Sequence, residues 1–117
     1  MRVIHKPWGH EKIIYENGKI TFKIICIRKG CRTSLQYHKE KTEVMLPIDS
    51  YCNIWYSICG DPHVASKIGE MVIINPLVIH RITAIKDTKI AELSYGSRRD
   101  IVRTEDDYGR KDIVQDT

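Results

Sequence analysis

Apolar and polar residues alternate with a period of two along most of this chain. No stretch of a dozen residues holds the three-and-four spacing of an amphipathic helix. The clearest run covers residues 20–28. There Phe22, Ile24, Cys26 and Arg28 fall on one face of an extended strand, and Thr21, Lys23, Ile25 and Ile27 on the other. Comparable short runs cover residues 12–15, 34–38, 43–48, 51–59, 71–74, 78–85 and 89–95. Turn residues separate them. Asn17-Gly18 reads as a hairpin turn, Gly60-Asp61-Pro62-His63 as a loop, and Gly30, Asp49-Ser50, Gly69 and Asn75-Pro76 as further breaks. Many short strands at regular spacing predict an all-β sandwich or jelly-roll barrel. From about residue 97 the chain turns polar, and this tail is expected to cross the barrel mouth or to meet a partner.

Length and composition narrow the picture. At 117 residues, one domain spanning 1–117 is expected, with a small core that a homodimer would enlarge. The net charge is +4, and the basic residues are scattered rather than gathered into a stripe. That argues against nucleic acid as a partner and suits a small anionic substrate. No run is long and apolar enough for a signal peptide or a membrane span, so a cytoplasmic protein with no membrane partner is expected. Cys26, Cys31, Cys52 and Cys59 form no tight pair and read as reduced thiols.

The candidate chemistry lies in the segment from Gly30 to Glu43. Gln36 and His38 are two apart, so on a strand they share a face. Glu43 is expected to return a carboxylate to them from the neighbouring strand, and His80 arrives from a distant apolar run. An amide, two imidazoles and a carboxylate suit a borderline divalent metal. On the residues alone, a surface polar pair with His80 at a barrel rim is an equal reading.

The spacing Gly30, Gln36, His38, Glu43 resembles the first signature of the cupin superfamily, with Gln in place of its first His. Gly69, Asn75 and His80 match the second by spacing, although Asn75 stands where Pro is expected and Leu77 where Gly is expected. The closer resemblance is to the C-terminal cupin domain of type II mannose-6-phosphate isomerase/mannose-1-phosphate guanylyltransferase. Four motifs carry it in order: Pro7-Trp8-Gly9; Ser34-Leu35-Gln36-Tyr37-His38; His80-Arg81; and the run from Asp100-Ile101-Val102-Arg103 to Tyr108-Gly109-Arg110. Lys41 stands where the family has Arg, and Met45 where it has Trp. The nucleotidyltransferase domain that precedes this module in the family has no counterpart in these residues, so nucleotide-sugar synthesis is not expected of them.

The resemblance implies a cupin double-stranded β-helix (a jelly-roll barrel) with Gln36, His38, Glu43 and His80 as metal ligands. Zinc is the first choice, with manganese, iron or nickel as alternatives. It also implies aldose–ketose isomerisation of a sugar phosphate, mannose 6-phosphate to fructose 6-phosphate. Lys41, Arg81 and Arg103 are then the expected phosphate grips, although Arg81 alternates away from His80 on an ideal strand. Glu40 is the nominated acid–base group beside His5, His10 and Lys23, the last of which reads more simply as a solvated strand residue. Trp8 reads as a cover for one barrel end. Two rival functions remain: a non-catalytic sugar- or metabolite-binding cupin, and a nucleotide-sugar epimerase or ketoisomerase.

Overall fold

The alternation along residues 20–28 becomes one strand with two unlike faces. In a computed structural model that describes residues 1–110, Thr21, Lys23, Ile25 and Ile27 turn inward, and Phe22 stays partly exposed. The strands are β1 (Arg2–Lys6), β2 (Gly9–Glu16), β3 (Ile20–Ile27), β4 (Leu35–Tyr37), β5 (Thr42–Pro47) and β6 (Cys52–Ile58). Next come β7 (Asp61–Ala65), β8 (Val72–Ile74), β9 (Ile79–Ala84), β10 (Thr88–Tyr95) and β11 (Val102–Glu105). They form two antiparallel sheets, one ordered β1-β2-β3-β10-β5-β8 and the other β11-β4-β9-β6-β7. Among the described residues neither sheet closes on itself, so the expected barrel is a pair of open sheets laid face to face.

Between the sheets lies one apolar core. Ile25, Ile27, Met45, Ile74 and Ile90 come from the first sheet, and Cys52, Ile54, Ala65, Ile82 and Ala84 from the second. Trp8 joins them as a buried side chain at one end, as its motif suggested. Gly9 follows because the neighbouring strand passes too close for a side chain: a Cβ there would collide with the Cys26 carbonyl.

Three strands escape the alternation rule. β1 is an edge strand with little burial, so nothing forces its side chains into a two-residue pattern. The expected loop at Gly60–His63 is instead a two-residue turn followed by β7. Ile58 pairs with Asp61, and both Cys59 (φ 51°) and Gly60 (φ 82°) take positive φ, as a type I′ hairpin requires. Pro62 is tolerated because β7 is an edge. The tail contributes β11, which pairs with β4 and brings polar residues to one end of the core. Residues 111–117, with the expected tail end and its Ile113 and Val114, lie outside the described residues.

Candidate metal centre

Pairing within the second sheet assembles one wall of the site. Gln36 on β4 stands opposite His80 on β9, and on its other side Arg103 on β11 stands opposite Gln36. Opposed residues of an antiparallel pair project to the same side, so all three face inward and line one cavity. His38, two residues beyond Gln36, follows on that face. Glu43 arrives differently from the expectation. It lies on β5 in the opposite sheet, not on a strand beside β4.

The chain crosses between sheets at residues 39–41, and Asp100 pins the crossing. Its Oδ1 accepts the Lys39 N–H, and its Oδ2 accepts those of Glu40 and Lys41, all at 2.8–2.9 Å. Burial opposes ionisation of this carboxyl, but the three N–H donors and His38 outweigh it and hold the group below its usual range. The Asp100 backbone carbonyl also receives His38 Nδ1 at 2.6 Å. One tail residue thus sets both the loop that delivers Glu43 and the orientation of a candidate ligand.

His38, Glu43 and His80 bring their ligand atoms within 4.8 Å of one another. His38 Nε2 lies 2.9 Å and His80 Nε2 3.2 Å from the same atom, Glu43 Oε1. Each ring gives its Nδ1 proton to a backbone carbonyl, His38 to Asp100 and His80 to Val78. A carbonyl only accepts, so each Nδ1 carries hydrogen, and a neutral ring then aims an Nε2 lone pair at the carboxylate. Three acceptors so close need a positive centre among them, either protons on both Nε2 atoms or a divalent cation. Backbone-oriented imidazoles are the usual outer support of metal ligands, and the donor set fits such an ion. Burial pushes the Glu43 carboxyl up, but hydrogen bonds from His38 and His80 and the Lys41 ammonium override it and hold the carboxyl well below the usual range. Lys41 Nζ lies 3.5 Å from Glu43 Oε2.

The cavity beside this cluster encloses about 90 Å³. Its lining is graded by exposure. His80, Glu43, Glu92, Lys41, Glu11 and Lys23 are buried, whereas Lys6, Arg98, Arg103 and Arg110 are partly or largely exposed. The outer end is therefore rich in basic groups, two of them already ion-paired, Arg98 with Glu16 and Arg110 with Asp106. Lys23 is not the solvated residue expected, because β3 turns it inward, where Nζ lies 3.0 Å from Glu11 Oε2 and 3.5 Å from Glu92 Oε1. Burial works against its charge, but Glu92, Glu11 and Glu43 raise its pKa above the usual lysine value.

Of the other residues nominated from sequence, Lys41 and Arg103 line the cavity. Glu40 does not: its side chain is exposed on the crossing loop, with only its backbone held by Asp100. Arg81 alternates to the outer face of its sheet, beside Trp55, where Nε donates to the Thr33 carbonyl. His5 and His10 lie on β1 and β2 outside the cavity lining. Sequence reasoning missed Asp100, Glu11 and Glu92. Glu92 left one clue, a charge on the same strand face as Ile90 and Ser94.

Comparison with known proteins agrees with this architecture. Residues 1–106 match the family model described as mannose-6-phosphate isomerase C-terminal. The alginate biosynthesis protein AlgA of Pseudomonas aeruginosa is 25% identical over 112 residues, which cover 92% of this chain but only 23% of that protein. KdgF from Halomonas sp. superposes with a TM-score of 0.71 at 13% identity, covering 84% of this chain and 88% of its own. An RmlC-like cupin from Shewanella frigidimarina gives 0.68 at 13% identity, covering 83% and 85%. At those identities the structural likenesses speak for the fold alone. Among the described residues no helix is long and apolar enough to cross a membrane. The chain belongs to the mannose-6-phosphate isomerase C-terminal family, has a cupin-like fold and carries a candidate two-histidine, one-glutamate metal site.

Proposed function

We propose that this domain is a metal-dependent aldose–ketose isomerase that interconverts mannose 6-phosphate and fructose 6-phosphate. The observation that carries the reading is the convergence of His38, Glu43 and His80, the last two of which line a cavity with basic side chains at its outer end. Gln36 would complete the ligand set through Oε1, since its amide nitrogen is committed to Ser34 Oγ at 2.9 Å. Two imidazoles, a carboxylate and an amide oxygen favour zinc, with manganese, iron or nickel as alternatives. A divalent ion held there supplies Lewis-acid polarisation of the sugar carbonyl and of the oxygens of the enediol.

The chain's own groups supply the rest. Arg103, Lys6 and Arg110 grip the phosphate at the outer end, and that remote binding energy orients the reacting carbons within. Lys41, at the inner end beside Glu43, faces negative charge as it develops on oxygen. Glu43, His80 and Lys41 at the inner end of the cavity suit the C1–C2 end of the sugar, with the phosphate among the basic side chains at the rim. Glu40, exposed on the crossing loop, and Arg81, half-buried on the outer face of its sheet, take no part in this version of the site. The family description and the name of the alginate biosynthesis relative both support a sugar-related substrate.

The departures from the family pattern beside Glu43, at Lys41 and Met45, favour one second reading, a cupin that binds a sugar phosphate without turning it over. Metal content, sugar-phosphate binding and turnover, measured on the metal-loaded chain and on His38→Ala and His80→Ala, separate the two. Turnover that disappears with the metal supports the isomerase. Metal and sugar binding with no turnover of any hexose phosphate overturns it.

A further inference from the structure

A carboxyl–ammonium–carboxyl array lines the cavity beside the metal donors, and packing does not account for it. Glu11 on β2, Lys23 on β3 and Glu92 on β10 occupy three adjacent strands, with Lys23 directly opposite Glu92. They are 8%, 8% and 2% exposed. Buried ion pairs seldom stabilise a fold more than apolar side chains of the same volume would. Lys23 donates to Glu11 Oε2 at 3.0 Å, so Glu11 takes the better hydrogen bond. Glu92 Oε1 lies 3.5 Å from the ammonium and accepts no hydrogen bond. A buried oxygen on a cavity wall that is ion-paired but accepts no hydrogen bond keeps acceptor capacity for a bound ligand.

Register places this oxygen near the candidate metal. On the β10–β5 pair Ser94 stands opposite Glu43 and Glu92 opposite Met45. Glu92 is therefore the diagonal, same-face neighbour of Glu43, within reach of a substrate held there. Resting on the isomerase reading above, we propose that Glu92 is a catalytic residue that carries the proton between the two reacting carbons of the sugar phosphate. Lys23, anchored by Glu11, is its positioning residue. Glu92 takes the C2 proton, the C2–H electrons form the C1–C2 double bond, and the carbonyl π pair moves to O1. The proton on O2 passes to O1. The C2 carbonyl then forms while C1 recovers a proton from Glu92, so no outside reagent is consumed. Burial first, and then Glu43, push Glu92 up to about 8 against the pull of Lys23 and Lys41, with Glu11 adding to the push. A carrier balanced near neutral pH both accepts and releases a proton readily.

The test incubates the zinc-loaded full chain with mannose 6-phosphate in deuterated water. It follows ketose formation and deuterium at C2 by NMR, with metal content and thermal midpoint measured alongside. Glu92→Gln is expected to keep metal stoichiometry and sugar-phosphate binding while losing isomerisation and C2 exchange by about 10³-fold. Glu92→Asp, with its carboxyl one methylene back, is expected to recover part of both. Glu92→Gln working at more than a tenth of the native rate overturns the assignment. If Glu92→Gln does not fold, a folded Glu92→Asp with native rate and exchange overturns it too. Absence of turnover and exchange in the native chain, for any hexose phosphate, removes the isomerase reading and this inference together.

Discussion

At the scale of single residues, Asp100 does more than its exposed neighbours in the tail. Asn at this position keeps the shape but offers one acceptor oxygen where the aspartate offers two, so at least one N–H of the crossing loop loses its partner. Asp100→Asn should cost about 1–3 kcal/mol in urea denaturation. It should also weaken zinc binding by about 10-fold, because the loosened crossing loop no longer fixes Glu43 or the Asp100 backbone carbonyl that orients His38. The pH dependence has a definite sign. The folded carboxyl sits below its unfolded value. Its stabilisation is therefore present above an unfolded pKa of about 3.9 and fades as pH falls through the folded value. The variant should lack that acid limb. Leu77 is the opposite case, a residue its backbone does not favour. It holds φ 71° in the turn before β9, where its N–H reaches the His38 carbonyl at 2.7 Å, and its side chain is largely exposed. A left-handed conformation costs a non-glycine residue about 1–2 kcal/mol. Leu77→Gly should raise stability by up to about 1 kcal/mol after glycine's entropy loss, with metal affinity unchanged. A drop in stability would show that the side chain packs more than its exposure suggests.

Among the elements, legibility followed burial. β3, β5, β9 and β10 have an inner face that must be apolar or functional, so their alternation was readable before any coordinates. β1, β7 and β11 are edges whose pairing is written mostly in backbone hydrogen bonds, which leave little trace in side-chain pattern. The candidate cluster of His38, Glu43 and His80 was legible by spacing. What was not legible was which sheet each came from, because the Asp100 bonds that send the chain across span about sixty residues. Of the inward charges, Lys23 on β3 was misread as solvated and Glu11 and Glu92 were missed for a related reason: period two gives a face but not which face is wet. The turn between β1 and β2 offers a sharp test of the packing. In Gly9→Ala the new methyl meets the backbone of β3, which cannot rotate away. Destabilisation of about 3 kcal/mol or more is expected, seen as a lower denaturation midpoint. A shift under 1 kcal/mol would mean that β2 and β3 lie farther apart than described.

For the molecule as a whole, the buried charges and the exposed apolar face make separate predictions. Glu92 has its folded pKa raised to about 8, above an unfolded value of about 4.3. The stability tied to its protonated form is complete below the unfolded value and is lost as pH rises through the folded one, on the order of 5 kcal/mol. Metal-free Glu92→Gln should therefore gain on the native chain between pH 5 and 8 in urea titrations, and parallel curves would contradict the burial argument. The outer face of the six-stranded sheet raises the question of assembly. Tyr15, Phe22, Leu93, Val44 and Ile73 are successive cross-strand partners on β2, β3, β10, β5 and β8, forming one apolar line across five strands. Tyr15, Leu93 and Ile73 are each about half exposed, and Leu46 is exposed on the same face of β5. Such a line presents on the order of 500 Å² of apolar surface, near the upper end for a monomer. A patch of that size, packed against its own copy, would approach the ~800 Å² per subunit of a stable two-fold interface. A second copy of this chain is thus its expected occupant. The native protein should sediment as a dimer, and Leu93→Lys as a monomer, because a lysine at the centre of the line would face its own copy across the axis. The cavity opens on the inner side of this sheet, so the lysine variant should still bind metal. A native chain that sediments as a monomer at tens of micromolar would leave the apolar line without this explanation.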